Sequence, residues 1–302
     1  MKIKASQTIA ILAMAIGCLA APLVGAQGRM LQVKGSDTMV NLVQILAEEF
    51  MAKNPKSPVA VLGGGSGTGI TALINGTTAI ANHSREMSQK EINQAWEKGV
   101  NPRNFAVAVD GLSIIVNAGN PLEKLTMAQV GAIYRGEIKN WKAVGGPDKA
   151  VSLYGRQSNS GTYIFLQEHV LGNKPYSTDM KEMNGNSQII EGVVQDEGAI
   201  GYVGVGYIVE SGTGKVRGGL KVLLISKNDQ SPAYSPLDKA RVDSGDYPIS
   251  RPLYMSTNGK PAGAAAELLR FICGPEGQKI VEREGFYTVG GKSSSQNEKN
   301  FK

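Results

Sequence analysis

The chain has little of what most enzymes need for chemistry. Its 302 residues include two histidines, His83 and His169, and two cysteines, Cys18 and Cys273. Two histidines so far apart do not make a zinc set, and the acidic residues show no metal-loop spacing, so no metal site is expected. There is no G-x-S-x-G elbow, no loop ending in G-K-S/T, and no G-x-G-x-x-G within the glycines of 63–69. That removes the common hydrolase, nucleotide and dinucleotide chemistries. His83 adjoins Ser84, yet neighbours on an extended segment point to opposite faces, which argues against a Ser–His pair. Aromatic residues make up 6% of the chain and do not interleave with basic ones, which argues against a nucleic-acid partner. After residue 26 no apolar run is long enough to span a bilayer. The expectation is a binding protein, not an enzyme, with no cofactor.

The one long apolar run, Ile9 to Val24, follows Lys2 and Lys4 and precedes the small residues Gly25 and Ala26. Residues 1–26 therefore read as a signal peptide cleaved after Ala26, which places the mature protein in the periplasm. An alternative is written in Ala15-Ile16-Gly17-Cys18, which roughly resembles a lipobox and would leave a lipid anchor on Cys18. Against it, a lipobox usually starts with Leu, and Leu19–Gly25 would be an oddly apolar tether. Cleavage after Ala26 leaves Cys273 as the only thiol, so no intrachain disulfide can form. Its place after the helix-like run from Gly263 marks it as a small core residue. The formal charge of +6 drops to +4 when the two lysines, and no acids, leave with residues 1–26. A mild excess of this kind suits an anionic ligand.

Strand-like and helix-like runs alternate along most of the chain, which argues α/β with mostly parallel sheets. Leu31–Val33 reads as a strand ending at Gly35-Ser36-Asp37-Thr38, followed by a helix with Met39, Leu42, Val43, Leu46 and Phe50 on one face. Val59–Leu62 and Thr78–Ala81 are further strands, and Ser88 with Glu91 forms a capping box. Phe105–Val109 and Leu112–Val116 flank Asp110-Gly111, a natural place for the chain to change lobes. Thr126 with Gln129 caps another helix. Val151–Tyr154 feeds the loop at Arg156, Tyr163–Val170 is the helix after it, and Ala199–Tyr202 is a buried strand. From Ser226 to Ser250 the pattern weakens into a surface excursion; order resumes at Arg251-Pro252-Leu253-Tyr254, and two helices follow.

Four strand ends thus carry hydroxyls or positive charge just before a helix or turn: Ser36/Thr38, Ser66/Thr68, Ser84/Arg85, and Arg156/Ser160/Thr162. Two of them, Gly63–Gly69 and Arg156–Thr162, contain Ser-Gly-Thr. Helix N-termini present unpaired N–H groups, glycine lets backbone approach an oxyanion, and Arg156 offers a forked, charged donor. Each motif also has a structural explanation: tight connections for the glycines, N-caps for Ser36 or Thr38, a surface ion pair for Arg156.

In sequence order, Gly35-Ser36-Asp37-Thr38, Gly64–Gly69, Ile80-Ala81 with Ser84-Arg85, Asp110-Gly111-Leu112 and Arg156-x-x-x-Ser160-Gly161-Thr162 together resemble the phosphate-binding proteins that serve Pst-type ABC transporters. The likeness extends through Tyr134–Trp141 and Gly198–Tyr202. It implies a two-lobed class II periplasmic-binding-protein fold with ligand in the interlobe cleft, each lobe a mostly parallel sheet flanked by helices. Lobe I would take residues 29–110 and 247–294, lobe II residues 111–246, and 295–302 would be a frayed tail. By family pattern, Thr38, the Met39 N–H, Ser66, Ser84, Arg156, Ser160, Gly161 and Thr162 would hold inorganic phosphate, with Ser36, Asp37 and Arg85 as further candidates. The implied partner is an inner-membrane ABC permease, and a monomer is expected.

Two departures bear on selectivity. The best-studied members of that family carry Asp where this chain has Ser84, and another acid where it has Ser158. A carboxylate can accept the proton of hydrogen phosphate and so reject sulfate, whereas a serine hydroxyl can turn and donate. Asp37 is the nearby candidate acceptor, or a cap on the first helix. The alternatives are a binder of sulfate, arsenate or phosphonate, an exported phosphoester hydrolase, or an adhesion protein.

Overall fold

The computed structural model describes residues 30–211 and 213–302. The expected signal peptide and Cys18 lie outside the described residues. Strands β1 (Leu31–Gly35), β2 (Val59–Leu62) and β3 (Ile80–His83) alternate with helices α1 (Val40–Lys53), α2 (Ser66–Ile74) and α3 (Gln89–Glu97). The long β4 (Pro102–Gly111) runs into β5 (Ser113–Asn117), followed by β6 (Lys124–Thr126) and α4 (Met127–Tyr134). Next come β7 (Ser152–Arg156), α5 (Gly161–His169), β8 (Lys181–Met183), α6 (Asn186–Gln195), β9 (Ala199–Val203) and α7 (Val205–Ile208). Then follow β10 (Leu220–Val222), β11 (Leu224–Ser226), β12 (Ala233–Tyr234), α8 (Lys239–Asp243) and β13 (Ser250–Asn258). Helices α9 (Gly263–Cys273), α10 (Pro275–Arg283) and α11 (Gly291–Asn300) come last.

Two five-stranded sheets, ordered β2-β1-β3-β13-β4 and β10-β5-β9-β7-β8, carry the fold, with a small third sheet, β12-β11-β6. The chain moves from the first sheet to the second at β4–β5 and returns in β13. The sheets are mixed, which corrects the mostly parallel expectation. β1, β2 and β3 pair in parallel, as do β7, β8 and β9, but β13 is antiparallel to both β3 and β4, and β5 to both β9 and β10. Connectivity contributes: β5 follows β4 with only Leu112 between them, so no helical crossover of the kind that joins parallel strands precedes it.

Local chemistry explains the helices. The α1 face of Leu42, Val43, Leu46 and Phe50 is buried, and the capping boxes Ser88–Glu91 and Thr126–Gln129 both form. β3 is displaced two residues from the expected Thr78–Ala81 and ends at His83. The Ser226–Ser250 stretch is more ordered than expected, because Val242, Tyr247 and Ile249 sink into the core.

The polar C-terminal segment is not frayed. Over Gly291–Asn300 it is helical, and it packs on β4, the edge strand of the first sheet. The Asn297 amide serves both the N–H and the C=O of Ala106, at 3.0 and 2.7 Å, and Asn300 Nδ2 donates to Asn104 C=O at 2.7 Å. Phe301 stacks 4.7 Å from Phe105. Amide side chains here do what a neighbouring strand would do for an open edge. Cys273 lies beneath this helix, with its thiol pushed up to about 12 chiefly by burial, as suits a packing residue.

Candidate functional site

The C-terminal ends of the parallel strands in the two sheets meet. From the first sheet come Ser36, Asp37 and Thr38 after β1, the glycine loop after β2, and Ser84 after β3; from the second come Arg156 at the end of β7 and the residues that follow it. This is where an open α/β sheet places its ligands. Ser36, Thr38, Met39, Ser66, Ser84, Arg156, Ser160 and Thr162 are all essentially buried.

Their hydroxyls bond to one another within the first half and, at Thr38–Thr162, across the two. Ser36 Oγ donates to Ser84 Oγ at 2.9 Å, the Ser84 N–H donates to Ser66 Oγ at 3.1 Å, and the Ser66 and Ser84 hydroxyls are 3.3 Å apart. Thr38 Oγ1 and Thr162 Oγ1, from opposite sheets, are 2.9 Å apart. Gly161 fits between because it has no side chain: a Cβ there would overlap Ser66 Oγ and lie 2.7 Å from Ser84 Oγ. The glycine loop is fastened to the Arg156 loop at Asn159, whose C=O accepts the Gly67 N–H and whose Nδ2 donates to Gly64 C=O, both at 3.0 Å.

Three helices start at this cluster. α1 and α2 have no side-chain cap on their first-turn N–H groups, so their positive ends face the hydroxyls directly. α5 differs: Ser160 is its N-cap, accepting the Thr162 and Tyr163 N–H groups at 3.2 and 3.5 Å. The Met39 N–H bonds Ser36 C=O at 3.0 Å.

Arg156 is held on three sides. Its N–H donates to Tyr202 Oη at 2.8 Å, Nε to Met183 C=O at 3.3 Å, and Nη2 to Asn184 C=O at 3.0 Å and to the Asp37 carboxylate. Nη1 is buried with no partner among the described residues. Asp37 does not cap α1. Its Oδ1 accepts the Gly64 N–H at 2.8 Å while Oδ2 takes Arg156, so it joins the β1 end, the glycine loop and β7.

Arg85 is the site candidate that lies apart. Its guanidinium forks onto Glu91 at 2.7 and 2.8 Å and also donates to Glu86 C=O. Glu91, recognised as a helix cap, is thus also the arginine's partner, which lowers the Glu91 pKa against the opposing effect of its burial. His83 turns away from Ser84. Its Nδ1 meets Arg85 C=O at 2.6 Å and its Nε2 meets Ser256 Oγ at 2.5 Å.

Burial pushes His83 down to about 4, so it stays neutral in the fold while an unfolded chain takes up a proton below about pH 6.5. The group therefore costs no stability above about pH 6.5 and lowers stability as pH falls from there towards 4, by roughly 3–3.5 kcal/mol in all. Urea unfolding at about pH 7.5 and about pH 4.5 should show a smaller acid loss in His83→Gln than in the wild type. Equal losses would show that His83 is not the group responsible.

Sequence reasoning missed the second buried ion pair. Arg251 and Asp110 face each other across β13 and β4, both inaccessible to solvent, and Arg251 also donates to Thr162 Oγ1 at 2.9 Å. Burial pulls the Arg251 guanidinium below its ordinary value, with Asp110 opposing that effect. The available signal was an arginine opening the ordered run Arg251-Pro252-Leu253-Tyr254, together with the Asp110-Gly111-Leu112 motif.

Two mixed sheets joined at a buried, hydroxyl-rich meeting of strand ends and helix starts define a binding-protein class, and the sequence agrees. The PBP superfamily domain matches residues 20–276, so the chain belongs to that superfamily. Within it, the chain is 32% identical over 286 residues to phosphate-binding protein PstS of Pseudomonas aeruginosa, covering 89% of this chain and 85% of that one. PstS of Borreliella burgdorferi is 30% identical over 86% of this chain and 90% of its own. The chain is a member of the PstS family. A substrate-binding protein from Clostridium perfringens assigned to a phosphate ABC transporter, solved with bound phosphate, superposes with a TM-score of 0.74 at 27% identity, covering 87% of this chain and all of that one. The ABC-type phosphate transport receptor of Vibrio cholerae gives 0.68 at 26% identity, over 86% and 100% of the two chains.

Proposed function

We propose that this protein binds inorganic phosphate in the periplasm and hands it to an inner-membrane ABC permease, without turning it over. The observation that carries this reading is the gathering of five hydrogen-bonded hydroxyls, from Ser36, Thr38, Ser66, Ser84 and Thr162, with Ser160 capping α5 beside them and the Arg156 guanidinium tied to the same strand ends through Asp37. Lobe I would be built from residues 29–110 and the chain after 247, now including α11, and lobe II from 111–246. Hinge closure at β4–β5 and before β13 would bring Arg156, Gly161 and Thr162 onto Thr38, Ser66 and Ser84. Among the described residues no helix is long and apolar enough to cross a membrane, and no group of three or more metal-ligating side chains occurs. Export through a signal peptide cleaved after Ala26, rather than anchoring at Cys18, completes the proposal.

Selectivity rests on Asp37. With Ser84 where the best-studied relatives carry aspartate, Asp37 is the carboxylate that joins the glycine loop to Arg156, and one lone pair beyond its bonds to Gly64 and Arg156 suffices to accept the proton of hydrogen phosphate. Sulfate has no such proton; hydrogen arsenate does. Titration calorimetry on ligand-stripped protein should show phosphate bound at micromolar or tighter affinity, arsenate following it, and sulfate far behind. No heat and no thermal stabilisation with millimolar phosphate would end the phosphate reading. Equal affinity for sulfate would turn it into a general tetrahedral-oxyanion binder.

A further inference from the structure

A buried ion pair is a poor brace between two strands, since well-packed apolar side chains of similar volume do the same at lower desolvation cost. Asp110 and Arg251 nevertheless form one. Nε and Nη2 of Arg251 reach Asp110 Oδ2 at 3.1 and 2.9 Å, and both residues are buried in the first sheet. What distinguishes the pair is where its other atoms go. Asp110 Oδ1 accepts the Val205 N–H at the start of α7, 2.8 Å away, and Arg251 Nη2 donates to Thr162 Oγ1 at 2.9 Å. Both partners therefore reach from the first sheet to elements that follow strands of the second. The Arg251 guanidinium also lies 5.0 Å from the centre of the Phe165 ring, less than one turn of α5 beyond Thr162.

The bond to Thr162 has a directional consequence. A threonine hydroxyl is one donor and two acceptor lone pairs, free to rotate between roles. An arginine N–H always donates, so a lone pair of Thr162 Oγ1 is committed to Arg251, and its own proton must point elsewhere. Thr38 Oγ1, 2.9 Å away in the hydroxyl cluster, is within reach of that proton. A site for an oxyanion needs hydroxyls that donate.

We infer that Arg251 is a positioning residue of the anion site, which fixes the Thr162 hydroxyl as a donor towards the ligand and is itself held in register by Asp110. This rests on the phosphate reading above. Arg251 would thus act at one remove from the ligand, beside Arg156, whose guanidinium is the direct charge.

The test removes the pair without leaving a lone buried charge, as Asp110→Asn with Arg251→Met, and measures phosphate affinity by calorimetry alongside thermal unfolding. The expected result is a folded protein whose phosphate Kd is at least about tenfold weaker than the wild type's. In a Thr162→Val background, the same double substitution should change Kd by less than about twofold, because the hydroxyl it acts through is gone. Arg251→Lys provides a milder variant: a single ammonium satisfies Asp110 but loses the fork that also reaches Thr162, so affinity should drop several-fold at little cost in melting temperature. Wild-type affinity in the pair-less protein or in Arg251→Lys would overturn the inference, as would a full tenfold loss in the Thr162→Val background. Absence of phosphate binding by the wild type would instead fell the phosphate reading itself, and the two failures are told apart by that first titration.

Discussion

Arg156→Ala is expected to weaken phosphate binding by at least tenfold, and by as much as several hundredfold. Arg156 Nη1 is buried with no partner among the described residues, which leaves it free to donate to the ligand, and charge-assisted hydrogen bonds of the kind its guanidinium makes contribute about 1.5–3 kcal/mol each. Its remaining bonds hold it rigidly: Met183 C=O on Nε, Asn184 C=O and Asp37 on Nη2, and Tyr202 Oη on the backbone N–H. Little entropy is left to lose on binding, so the full interaction reaches the ligand. Removal also leaves the Asp37 carboxylate without its partner beside the incoming anion, which adds repulsion to the lost attraction. Arg156→Lys should recover only part of the loss, because a single ammonium cannot keep the bonds to Met183, Asn184 and Asp37 and still donate to the ligand. Adding Asp37→Asn to Arg156→Ala should recover another part by removing the repelling charge. Calorimetry on the series decides it; unchanged affinity in Arg156→Ala would make the residue structural and remove the main support for an anion site.

The second large effect should come from a single methyl group. Gly161 opens α5, where alanine is the better helix former by about 1 kcal/mol, so Gly161→Ala should leave the ligand-free protein at least as stable as the wild type. That added Cβ, however, falls on Ser66 Oγ and 2.7 Å from Ser84 Oγ, atoms that belong to the other sheet. The halves can then meet only by displacing the hydroxyls that hold the ligand. Overpacking of this kind costs about 1–3 kcal/mol, which corresponds to roughly a 5- to 150-fold loss of affinity. Gly161→Val should abolish binding altogether. Unfolding of the ligand-free protein together with phosphate titration separates the two effects. Binding as tight as wild type by Gly161→Ala would show that Ser66 and Ser84 do not close on Gly161 around the anion.

Where the sequence read well, the governing physics was local. The capping boxes at Ser88–Glu91 and Thr126–Gln129 involve side chains three residues from the groups they serve. The α1 face follows from helical period, and the glycine loop from the conformations its neighbours require: Gly64 and Gly65 both have positive φ, at 112° and 91°. Hydroxyls and an arginine at four strand ends were visible for the same reason, since strand–turn–helix junctions are local events.

Where the structure departs from these expectations, the deciding partner lies outside the local motif, and in two cases more than a hundred residues away. Arg85 was grouped with the site because it follows Ser84, but Glu91 claims it across the turn into α3. The polar composition of the C-terminal segment suggests a loose tail, yet Asn297 satisfies Ala106, 191 residues earlier. Asp37 was left between capping a helix and facing the ligand, and its actual partner, Arg156, lies 119 residues on.

By itself, then, the sequence determined the α/β character, the family, and a set of donors suited to a tetrahedral anion, because each of these is written in residue types and short spacings. Only the tertiary structure decided which of those donors share one buried cluster, that Asp37 is the carboxylate beside them, and that Asp110 and Arg251 stand behind Thr162. Such choices depend on which strand ends two mixed sheets bring together, and on the need of every buried charge to find its partner, wherever in the chain that partner lies.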